Sequence, residues 1–371
     1  QAGIGNFGVS LAQFVTPVIL SIALYGAPST FTKIDVKEAK EIFATTSLDQ
    51  QAQLFSTLDL KKQEAILSNV DAKVLDSVKA AINSRDHSQI FVSLPLATKS
   101  KIIDNANPKL AEIFLETLRP GNKAVTNQEI YIQSAAFWYV PFLIIMAILS
   151  WFYLKSIPMK ASITEQLDIF KSKHTWYCTI TYLMTFGTFA GLSAAFPLMI
   201  KFLYGEFPGA PDPLKYAFYG PLIGSASRVL FGFIADKVGG AILTTITGLG
   251  ILGGTVILVT QGLVAPTSME QFPLFVGIIL MIFFFTGVGN AGTFRQYPII
   301  FGDNPRQAAG VIGWTAAVAA FGPFIFSKLI GANISSNGGA NQFFIGLIIF
   351  SLIATFINWW FYNRKGCEKP S

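Results

Sequence analysis

The chain runs to 371 residues, 52% of them apolar and only 13% charged. A soluble chain carries about twice that charged fraction, which disfavours soluble enzymes and nucleic-acid binders and leaves a polytopic α-helical membrane protein. Cys178 and Cys367 make no disulfide framework, and His87 and His174 stand too far apart for a metal motif. No metal, cofactor, catalytic site or nucleic-acid partner is therefore expected.

Eight stretches reach the roughly 17–25 apolar residues that a spanning helix needs. They lie near 3–25, 133–154, 176–203, 214–235, 241–262, 272–297, 308–330 and 341–362. The first opens without Met and directly in an apolar run, so further sequence is expected upstream. On this stretch Gly3, Asn6, Ser10 and Gln13 follow helical spacing and share one face. Small residues let helices approach closely, and amides hydrogen-bond across a dry interface.

Residues 29–130 differ from everything else. Counting gives 13 Lys and Arg against 13 Asp and Glu, so the membrane part carries the whole +6. Apolar pairs recur at Leu54-Phe55, Ile66-Leu67, Val74-Leu75, Ile90-Phe91, Ile102-Ile103 and Ile113-Phe114. That rhythm fits a stack of short amphipathic helices, either a small α-solenoid or a plain bundle. Neither form names a ligand. This segment is where an unknown partner would bind.

Basic residues in short loops set the orientation. Lys155, Lys160, Lys171 and Lys173, then Lys237, Arg295 and Arg306, then Arg364, Lys365 and Lys369 all fall on one side. That side is expected to be cytoplasmic, with the C-terminus inside and 29–130 extracytoplasmic. A bacterial inner membrane is the expected location.

Arg228 is the one charge inside the apolar run 216–235. A guanidinium cannot neutralise itself to escape the hydrocarbon, and burying it costs several kcal/mol unless something compensates. Such a charge points to an anion. At the end of the same run, GFIADKVGG (232–240) offers Gly232, Asp236, Lys237 and Gly239. The glycines permit a tight turn between helices, and the adjacent Asp and Lys can cap neighbouring helix ends as a charged latch. The run resembles the conserved loop motif of the major facilitator superfamily. Its position after three spans and before four more fits the eighth span of a twelve-span plan. The first span seen would then be the fifth, with spans one to four not represented.

Other runs carry a narrower resemblance. GIGNFGVSLAQFVTP (3–17) resembles the fifth-span signature of the nitrate/nitrite porter family, and AAFGPFIFSKLIG (319–331) its second signature on the eleventh. YLMTFGTFAGLSAAF (182–196), YAFYGPLIGSASR (216–228) and GVGNAGTF (287–294) resemble its seventh, eighth and tenth. The match covers the membrane part and not 29–130.

The resemblance implies roles residue by residue. Arg228 matches one of two anion-gripping arginines, Tyr182 a hydrogen-bonding tyrosine, and Phe186 an aromatic against the anion's flat face. Asn6 matches a polar residue near the site. Gly5, Gly8, Gly322 and Gly331 match glycines that let helices slide or rock. An Arg fork suits a planar oxyanion, and Tyr182 and Phe186, four residues apart, can face one cavity. Thr286, Asn290 and Thr293 form a polar stripe that could line a path. The family's second arginine has no counterpart among the spans present, and no Asp or Glu lies in a span core.

The expected fold is thus an all-α major facilitator with about eight of twelve spans and an inserted helical domain. The expected divisions are 1–28 (fifth span), 29–130 (insertion), 131–174 (sixth span and central loop) and 175–371 (C-terminal six-helix half). The expected function is alternating-access transport of nitrate or nitrite, without enzymatic chemistry. Alternatives are a transporter-derived membrane anchor or receptor, and a facilitator for another small anion.

Overall fold

The computed structural model describes residues 2–27, 29–34, 36–57, 63, 87–104, 108–121, 125–154, 162–205, 207 and 211–371. They divide into two compact units, 1–18 with 150–371, and 19–149.

The 19–149 unit is helical apart from one ribbon. Strand β1 (Ser29–Ile34) pairs antiparallel with β2 (Val125–Ile130), from Ser29 opposite Ile130 to Ile34 opposite Val125. The chain flanking the ribbon is tied as well. Tyr131 N–H donates to the Leu20 carbonyl at 2.8 Å, and Ser134 Oγ accepts from Leu24 N–H at 3.2 Å. Tyr25 stacks on Phe137 at 4.6 Å.

Between the strands lie the helices Val36–Thr45, Leu48–Thr57, His87–Ser93, Leu96–Asp104 and Pro108–Leu118. Helices this short are marginal alone in water, so each depends on the apolar face of its neighbours. Phe43, Phe55, Phe91 and Phe114 form the shared core, with Phe55 stacked on Phe91 at 4.6 Å and Phe114 edge-on to Phe91 at 5.4 Å. Ile90, Ile102 and Ile103 are buried with them, so most of the recurring pairs mark the core. Ile113 departs from the pattern and faces outward. The pairs at 66–67 and 74–75 lie outside the described residues.

Among the described residues seven helices are long and apolar enough to cross a membrane: Gln133–Tyr153, Lys173–Tyr204, Pro213–Val238, Gly240–Thr260, Met269–Ile300, Pro305–Asn337 and Asn341–Asn363. They make this a multi-pass membrane protein. The first expected span is shorter than 3–25, its helix ending at Ile19 just after Pro17. Beyond it Leu20 and Leu24 turn their backbone groups toward Tyr131 and Ser134.

Three helices break shortly before a proline. The chain is interrupted at Trp138 before Pro141, at Phe218 before Pro221, and at Ala320–Phe321 before Pro323. Proline removes an N–H and its ring crowds the carbonyl four residues back. That explains all three breaks. Pro197 acts otherwise: its helix continues through Met199. The Ser193 carbonyl, four residues back, loses its usual donor, and Gln13 Nε2 supplies one at 2.9 Å. Ser10 Oγ likewise donates to the Phe218 carbonyl at 3.2 Å. The polar face of the first helix thus reaches backbone carbonyls on two other spans, and at Ser193 it supplies the donor that an apolar surrounding requires.

The membrane core is built from Phe189, Phe196, Phe275, Phe283 and Phe344 with aliphatic neighbours. Backbones approach closely where Gly287 meets Gly224 and Ser227, and where Gly322 meets the Gly187 backbone. Any Cβ at either position would overlap those atoms.

Candidate functional site

The site is assembled from three spans. The Lys173–Tyr204 span carries Tyr182 and Phe186, and between them its helix widens into a π-turn over Leu183–Gly187. Such single wide turns recur at functional sites. Here the turn leaves the two rings stacked, centroids 5.4 Å apart and planes 14° from parallel. Tyr297 OH donates to the Cys178 carbonyl at 2.7 Å and contacts Thr181 Oγ1 at 2.8 Å, pinning this stretch to the Met269–Ile300 helix.

Arg228 lies on the Pro213–Val238 span and is 6% exposed. Its guanidinium sits 4.6 Å from the Phe294 ring centre, a cation–π contact. The Tyr182 phenol lies beside it. Among the described residues no Asp or Glu pairs with it. Phe294 in turn lies 5.9 Å from the Tyr182 ring. Arg228, Tyr182, Phe186 and Phe294 therefore form one aromatic-walled cation site, and five guanidinium N–H donors have few acceptors there.

Phe294 lies in the run 287–294 but carries no role that the resemblance implies. One phenylalanine among 34 carries no signal of its own. The usable clue was its place one turn after Asn290.

The other expected residues are distributed less evenly. Asn6 and Gly5 lie on the first helix, and their side-chain surroundings fall outside the described residues. Gly322 makes the close approach to Gly187, whereas Gly8 and Gly331 have open space where a Cβ would project. Asp236 pairs with Arg295 at 2.9 Å rather than with Lys237, for which no ion pair forms among the described residues. That pair joins the Pro213–Val238 and Met269–Ile300 helices, and with Asp236 70% exposed it is a weak tie. Gly239, at φ +99°, ends the first of these helices, and Gly240 starts the next. Gly232 has no close neighbour.

The loop before Lys173 is clasped to the start of the Pro305–Asn337 span. Asp168 accepts from Gln307 Nε2 at 3.0 Å and from Arg306. The Gln307 bond first, and Arg306 and Lys171 after it, hold the Asp168 carboxyl below its ordinary 3.8 despite the opposing cost of burial. In the tail, Glu368 accepts from Lys173 at 2.8 Å and contacts His174 Nε2 at 3.2 Å. The Lys173 bond is the main cause of its lowered pKa.

Two kinds of match are found, one to a segment of the chain and one along its whole length. Residues 29–123 match the family described as "MgtE intracellular N domain". Over the whole chain there is 42% identity with the "Probable nitrate/nitrite antiporter NarK2" of Thermus thermophilus, covering 63% of that protein. The "Nitrate/nitrite transporter NarU" of Salmonella typhimurium is 31% identical over 62% of this chain and 53% of its own length, and that of Escherichia coli 30% over similar shares. The chain is thus similar to nitrate/nitrite transporters, along its whole length in the Thermus relative. The chain spans about two thirds or less of the length of these relatives. Two structures of the fucose:proton symporter FucP align over 95% and 96% of the chain at 11% identity, with TM-scores of 0.46 and 0.45.

Proposed function

We propose that the protein moves nitrate or nitrite across the membrane by alternating access, with Arg228 as the anion's anchor in a midplane cavity. The observation that carries this is a buried guanidinium with an aromatic face on one side, a phenol beside it and, among the described residues, no carboxylate partner. A planar oxyanion accepts two parallel N–H bonds from such a fork. Tyr182 adds a donor, and Phe186 and Phe294 limit the slot to a flat ion. The names of the relatives support the same substrate class. Asn6 contributes a further polar group from the fifth-span equivalent.

Alternating access needs helices that slide, and the Gly322–Gly187 contact supports that use of the eleventh-span equivalent. Gly5, Gly8 and Gly331 serve the same motion from positions that the partner helices reach in other states. The Asp236–Arg295 pair and the Gly232–Gly239 turn act as a latch at the cytoplasmic face. The working divisions are 1–28, 29–130, 131–174 and 175–371.

The test is nitrate-for-nitrite exchange by the full-length protein in proteoliposomes. Arg228→Lys keeps the charge and loses the fork, and exchange is expected to fall by about a hundredfold, the worth of roughly 3 kcal/mol of charge-assisted bonding. Exchange at the wild-type rate in that variant would remove Arg228 from the site.

The insertion lies on the extracytoplasmic side in this scheme, because the basic loops of the membrane part face the other way. The family it matches is described as intracellular, so the two assignments oppose each other. Cys178 and Cys367 are buried. A cysteine placed at the exposed Ser56 is therefore a clean reporter. A membrane-impermeant thiol reagent added to spheroplasts is expected to label Ser56→Cys; labelling only after lysis would put the insertion inside.

A further inference from the structure

The Met269–Ile300 helix holds a buried polar stripe, Thr286, Asn290 and Thr293, all of it inaccessible. The two threonines spend their hydroxyls on their own helix. Thr286 Oγ1 donates to the Phe283 carbonyl at 2.7 Å and Thr293 Oγ1 to the Asn290 carbonyl at 3.3 Å. The side chain of Asn290 is different: it is 0% exposed, and among the described residues neither its Oδ1 nor its Nδ2 has a partner.

Two other fully buried amides of this bundle, Gln296 and Asn358, are paired. Gln296 Nε2 donates to Asn358 Oδ1 at 2.8 Å and its Oε1 accepts from Thr244. Asn358 Nδ2 reaches the Ala241 carbonyl at 2.8 Å and Thr245 at 2.9 Å. An unpaired buried amide is costly, and the few that occur in native proteins call for a reason.

Its direction follows from its neighbours at about 100° per residue. Gly287 faces Gly224 and Ser227 on the Arg228 helix. Gly289 faces Thr185, on the Tyr182 helix, and Thr247. Asn290 projects between those two directions. Phe294, one turn on and on the same face, touches both Arg228 and Tyr182.

We infer that Asn290 is a specificity-determining residue of the anion site, its amide N–H donating to the oxygen that the Arg228 fork leaves free. This rests on the reading of Arg228 as the anchor. The fork engages two oxygens. Nitrate has a third and nitrite does not, so Asn290 favours the three-oxygen ion.

Nitrate and nitrite titrations of the full-length protein by calorimetry, with unfolding temperatures of the ligand-free protein, test this. Asn290→Leu keeps the volume and removes the donor. It is expected to weaken nitrate about tenfold or more and nitrite less than about threefold, the range of one hydrogen bond to a charged group. Its ligand-free unfolding temperature is expected to hold or rise, since no protein partner is orphaned. Asn290→Ala carries the same expectation for binding should the leucine variant fail to fold. Unchanged nitrate affinity in both, or equal losses for the two anions, would overturn the assignment. Arg228→Lys is run beside them. If it loses both anions while the Asn290 variants lose neither, only the Asn290 proposal falls; if it too binds normally, the whole site falls.

Discussion

Arg228 in the membrane bundle and Lys99 in the insertion pose the same problem in two solvents. They are 6% and 4% exposed, and among the described residues neither has a carboxylate beside it. Lys99 solves it locally. Its Nζ donates to Gln51 Oε1 at 3.0 Å and lies 5.7 Å from the Phe91 ring centre. Gln51 in turn donates to the Phe43 and Thr46 carbonyls at 2.9 and 3.0 Å, at the C-terminal end of the Val36–Thr45 helix. A cation relayed to a helix C-terminus is favourably placed. Arg228 has only a phenol and an aromatic face, and its fork keeps donors to spare. Burial is common to both, whereas an amide acceptor anchored to a helix end stands beside Lys99 alone among the described residues.

The sharpest way to break that contrast is to make the same substitution at both sites. Arg228→Met is expected to reduce nitrate exchange by at least about a hundredfold and leave the ligand-free fold as stable or more so, because removing an uncompensated buried charge removes its desolvation cost. Lys99→Met is expected to leave exchange within about twofold and shift unfolding by less than about 1 kcal/mol, since losing the ammonium's burial cost offsets the orphaned Gln51 oxygen. Unfolding of the arginine variant, or lost exchange in the lysine variant, would reverse the contrast.

A smaller effect sharpens it. Burial lowers the Lys99 pKa beneath its ordinary 10.5. The unfolded chain then holds the proton more tightly than the folded one, so stability rises with pH from the lowered value up to 10.5. Denaturant unfolding of the full-length protein at a series of alkaline pH values is expected to register that rise in wild type. The rise should flatten in Lys99→Met; an equal slope in both would assign it to other groups.

Much of this was readable in the residues, and the exceptions have physical reasons. Arg228 declares itself because a lone charge in an apolar run has no neighbours to hide among. Tyr182 and Phe186 followed from a resemblance, but the π-turn that sets their stack did not, since widening one turn leaves no mark on apolar periodicity. Spans read as continuous are broken before Pro141, Pro221 and Pro323. Hydropathy alone passes over such breaks because the broken residues are still apolar. Asp236 was expected to work with its neighbour Lys237, whereas the structure pairs it with Arg295, far off in sequence. The strands were missed for the same reason: β1 and β2 specify each other across the whole insertion, and no local turn announces them.

That ribbon bears on how such a protein is put together. Thr32 stands opposite Asn127, and paired strands run about 4.8 Å apart. The chain therefore leaves and returns at nearly one point. A two-residue turn joining the strands there would bypass every helix between them. Seen from the rest of the polypeptide, the insertion occupies the place of an ordinary hairpin, a cassette that can be exchanged or removed without re-spacing the segments on either side.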